Sequence, residues 1–137
     1  MTETIAFDFN PFCNRAVLLD HNGGLLSYVD SKDGLEVAVW LGRSLDRHPD
    51  ARIVGSPLDD CPSAVEAELH MQERNPEWLR PTLCRSLYHA GRTWNLARKL
   101  HRARMLAHLD RYRVSSTNLQ QALREFEHER ARQILEI

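Results

Sequence analysis

Apolar and polar positions change period along this chain, and the change divides it. Near the start, Phe7 and Phe9 alternate with Ala6 and Asp8, a period of two that predicts a β-strand built around one carboxylate. Asn10-Pro11 breaks the run, because proline fixes φ and has no N–H for a ladder. Ala16 to Leu19 is an apolar run of strand length. Asn22-Gly23 is a strong short hairpin signal, and Leu25 to Val29 supplies the return strand. Residues 4–30 therefore predict three short strands. Ser31-Lys32-Asp33-Gly34 then forms a turn able to cap a helix over Leu35 to Arg47, whose Val37, Ala38, Leu41 and Leu45 make an amphipathic stripe. His48-Pro49-Asp50 ends that helix, and Arg52-Ile53-Val54-Gly55 is a fourth strand. A helix between the third and fourth strands implies a crossover, which would set the fourth parallel to the first.

From Ser56 onward the pattern becomes helical. Ser56 to Pro62 is a loop, and Ser63 with Glu66 reads as a capping box opening a helix to about Gln72. Asn75-Pro76 has the form of an N-cap followed by proline at the first helical position, and Pro81 offers another such start. Thr82 to about Tyr112 predicts one long helix with Gly91 as its weak point. Leu83, Leu87, Ala90, Trp94 and Ala97 mark one apolar line on it; Leu96, Leu100, Ala103 and Ala107 mark another. A last helix starts near Thr117, capped with Gln120, and turns Leu119, Ala122, Leu123 and Phe126 inward, then Ala131, Ile134 and Leu135. With no internal repeat and no low-complexity linker, the 137 residues read as a single domain, its sheet within residues 1–60 and its helical half within 61–137.

Composition changes this picture little. Hydrophobic content of 42% and charged content of 27% are those of an ordinary globular chain. The sequence shows no apolar run of membrane-spanning length and no basic-then-apolar leader at Met1, so a cytoplasmic protein without membrane partners is expected. Cys13, Cys61 and Cys84 are odd in number and lack paired C-x-x-C spacing, which favours reduced thiols. Cys61, His70, Cys84 and His89 could be assembled into a four-ligand set, but their spacings match no familiar zinc module.

Charge changes it more. The net charge of −1 conceals a segment, residues 80–113, with nine Arg or Lys against one acid, Asp110. That segment carries +8 and the remainder −9. His89, His101 and His108 lie within it and add charge below neutrality. Arg85, Arg92 and Lys99 recur at seven-residue spacing, and Arg98 and Arg102 are four apart, a stripe suited to tracking phosphates. The same stripe could be a solvated face whose stems cover core surface. Trp78, Tyr88 and Trp94 could stack on bases or pack inside. Asp8, within an apolar strand, must be paired, bind a cation or face solvent. Asp59-Asp60 reads as a solvated turn or as one portion of a metal site.

Residues Ile5 to Asn10, the short loop, Ala16 to Asp20, the Asn22-Gly23-Gly24 turn and Arg52 to Leu58 together resemble the RNase H-like superfamily, in particular its RuvC-like resolvases and transposon-encoded nucleases. The resemblance covers roughly residues 4–60. It implies an α/β fold with an RNase H-like β-β-β-α-β start and a helical C-terminal half. It also implies that Asp8 holds divalent metal, with magnesium suited to carboxylate and water ligands, for in-line attack on a phosphodiester. That chemistry needs further acids at the fourth-strand end and on a late helix. Gly55 and Ser56 supply none, so Asp59, Asp60 and Asp110 are the candidates to complete the set. The expectation is a nucleic-acid-binding protein related to RuvC-like nucleases or transposases, acting on DNA or RNA, with an incomplete acidic site and Arg85, Arg92, Arg98, Lys99 and Arg102 as the binding face. Homo-oligomers are compatible with this reading. The competing expectation is a non-catalytic protein-interaction module using the basic helical face toward another copy or an acidic partner.

Overall fold

The computed structural model describes residues 2–9, 12–55, 61–78 and 96–109. In chain order these form β1 (Thr4–Phe9), β2 (Asn14–Leu19), β3 (Leu25–Ser31), α1 (Gly34–Arg47), β4 (Arg52–Gly55), α2 (Ser63–Met71), β5 (Glu77–Trp78) and α3 (Leu96–Ala107). The five strands make one sheet ordered β3-β2-β1-β4-β5. β1, β2 and β3 run antiparallel in succession, whereas β4 pairs parallel to β1 and β5 parallel to β4. The chain is thus of the α/β class. The expected crossover is present: α1 carries the chain from the β3 edge to the far side of β1, with Ile5 opposite Ile53. Among the described residues no helix is long and apolar enough to cross a membrane.

Every residue of β1 is buried, because the central strand is covered on both faces. Alternation sends Ile5, Phe7 and Phe9 to one face, where they join Ala16, Leu18, Val29 and Ile53 beneath α1 and α2. Phe7 and Phe9 stack there with ring centroids 4.8 Å apart. Ala6 faces the opposite way with Val17, Leu19, Leu25 and Val54, beneath Met105 and Leu109 at the α3 end. α1 fits its forecast closely. Asp33 caps it by accepting from the Leu35 N–H at 3.0 Å, and Val37, Ala38, Leu41, Ser44 and Leu45 are its buried face.

Three local expectations need correction. α2 begins at Ser63 but has Pro62 at its N-cap and no side-chain cap, so the Ser63/Glu66 capping box is not formed. After Asn75-Pro76 the chain makes the short strand β5 in place of a helix. Glu77 grips Arg52 of β4 with two hydrogen bonds of 2.8 and 2.9 Å, and this pairing outweighs the local helix signal. On α3, Leu100 is 57% exposed and Ala107 is also exposed. The residues buried toward the sheet are Arg102, Met105 and Leu109, whereas Leu100 and Ala107 of the expected line point away from it. Residues 82–95 of the expected long helix and the whole of the last helix lie outside the described residues.

The reason for the burial of Arg102 is the β2–β3 turn. Asp20 organises it: its Oδ1 accepts from the N–H groups of Asn22 at 2.9 Å and Gly24 at 2.7 Å, while its backbone exchanges hydrogen bonds with Gly23 and Gly24. Gly23 adopts φ +80° and is buried against the α3 backbone. A Cβ at Gly23 would lie 2.6 Å from the Lys99 carbonyl oxygen and 2.7 Å from the Ala103 nitrogen. Gly23→Ala should therefore destabilise the protein by more than the roughly 1–2 kcal/mol of a left-handed backbone alone, because the helix must also move. Urea denaturation measures this, and the fluorescence or exchange changes should concentrate on α3 and the turn.

Candidate functional site

Asp8 and Arg15 are direct partners across the antiparallel β1–β2 ladder, so both side chains project from the same face. The four residues 10–13 join Phe9 to Asn14, and that register places Arg15 beside the carboxylate. Asp8 is 4% exposed and its Oδ2 accepts a charge-assisted hydrogen bond from Arg15 Nη2. Of the three fates open to a strand acid, this one is paired. A buried carboxylate kept beside a guanidinium avoids most of the penalty of isolation. Removing one partner exposes that penalty in full.

The other proposed acids do not join it among the described residues. Asp59, Asp60 and Asp110 all lie outside them. Gly55, buried at the end of β4, brings no carboxylate, as expected from the sequence. Among the described residues no three Asp, Glu, His or Cys side chains gather into a potential metal site. Magnesium requires near-octahedral oxygen coordination, and here the described donor set is one carboxylate already held by a guanidinium. Cys13 and Cys61 are each half-buried.

The basic stripe is divided. Arg85 and Arg92 lie outside the described residues, and Arg98 falls on α3 but its side chain is not among those described. Lys99 is exposed, as are Arg104 and His108 on the same helical stretch. Arg102 is not on an exposed face: it is 1% exposed, and its Nε donates to the Gly23 carbonyl at 2.5 Å. Burial lowers the pKa of this guanidinium, and the nearby Asp20 carboxylate partly offsets that effect. Arg102 thus binds the turn to the helix, and its guanidinium does not share the open face on which Lys99 and Arg104 stand. Sequence reasoning misses Arg15 and the second role of Gly23. Arg15 has a signal, since a four-residue connection between two strands pairs positions 8 and 15. Gly23 reads as a turn residue, but nothing local shows that a helix packs on it.

No protein-family model, no curated protein and no solved structure gave a significant match to this chain.

The Asp8–Arg15 pair generates a measurable contrast. Arg15→Met alone should cost about 3–5 kcal/mol, because it leaves a buried carboxylate unpaired. Combining it with Asp8→Leu should recover most of that loss, since an apolar pair of similar volume is often neutral or stabilising. A double-mutant cycle by denaturant unfolding gives the coupling directly.

Proposed function

We propose that this chain is a nucleic-acid-binding protein of RNase H-like architecture, related to RuvC-like nucleases or transposases, in which the β1 acid serves the sheet. The observation that supports the architecture is the placement of Asp8 on a central strand, flanked by antiparallel β2 and by β4 returning parallel through the α1 crossover. Support for the ligand comes from charge: residues 80–113 carry +8, and Lys99 and Arg104 stand exposed on α3. Polyanion binding needs cations on an open face, and α3 keeps these two there while burying Arg102. Binding of this kind is dominated by phosphate contacts and released counterions, so it is strongly salt-dependent and tolerant of sequence.

The reading separates binding from cleavage. With Arg15 engaging Asp8, phosphodiester hydrolysis at this carboxylate is not the activity expected of the chain, and magnesium has no assigned role at Asp8. Replacing Lys99 and Arg104 together by Ala should weaken binding to DNA and RNA oligonucleotides alike. It should also flatten the slope of log K against log salt by up to about 2, one for each phosphate no longer neutralised. Fluorescence anisotropy over a salt series measures both. Parent protein that binds neither nucleic acid at low salt would shift the choice to an interaction module with an acidic protein partner. Magnesium-dependent cleavage that disappears in Asp8→Asn would restore a catalytic role to the β1 acid.

A further inference from the structure

We draw no further inference here: the strongest candidate, the groove where Tyr28 of β3 meets Leu35, Val39 and Trp40 of α1 at the edge of the sheet, is an open apolar face, and nothing in the structure shows what covers it.

Discussion

Arg102 and Gly23 meet where a late helix crosses a turn from near the start of the chain, and that meeting fixes one entire face of the sheet. Gly23 has no side chain at the point where the α3 backbone passes, and Arg102 reaches back to its carbonyl. The two features work only together. Without the glycine the helix could not approach, and without the approach a guanidinium would have no reason to be 1% exposed. Met105 and Leu109 follow Arg102 on the same helical face, so the same meeting determines which apolar residues cover Val17, Leu19 and Val54. Asp20 stabilises both sides: it shapes the turn with its Oδ1 and lends its charge to the buried cation.

The opposite end of the same sheet face uses the same solution for a different charge. Asp8 is an anion with a cation on the next strand, and Arg102 is a cation near an anion in the turn. Both sit on the face that α3 covers rather than beneath α1 and α2, where the hydrophobic cluster is larger. The sheet therefore has one face covered by the larger apolar cluster, and one face where buried charge is neutralised in place. In proteins whose β1 acid serves metal chemistry, the carboxylate must keep its lone pairs for the ion. Here Arg15 takes a share of them.

The features of the fold legible in the sequence are those in which local pattern and tertiary role agree. The period of two in β1, the Asn22-Gly23 turn and the stripe of α1 each arise from the same burial that the finished structure shows. The α1 crossover then makes β4 parallel by topology alone. The failures have equally specific causes. β5 is two residues long and owes its place to the Arg52–Glu77 pair, a link across 25 positions that no local window contains. Hydropathy misplaces two residues of α3 because it ranks arginine outside and leucine inside, whereas a carbonyl from the turn reverses that order for Arg102 and Leu100. For the site, Asp8 stands out by its chemistry, but its partner emerges only when strand register is written out.

The parallel pairing of β1 with β4 also imposes an order on folding. β1, β2 and β3 occupy one continuous stretch, joined by a short connection and a tight turn, so their pairings close small loops. Thr4 and Arg52 must instead find one another across the whole meander and α1, a separation of high entropic cost. Contact separation therefore favours a nucleus in the meander with α1 docked on it, with β4 joining later. Substitutions such as Ile53→Val would then act chiefly on the unfolding rate, whereas truncations at Leu18 or Leu41 would slow folding itself. Until β4 pairs, Ile5 and Ala6 lie on the unpaired side of the central strand. Whatever delays the arrival of β4 prolongs that exposure and the opportunity for one chain to capture the edge of another.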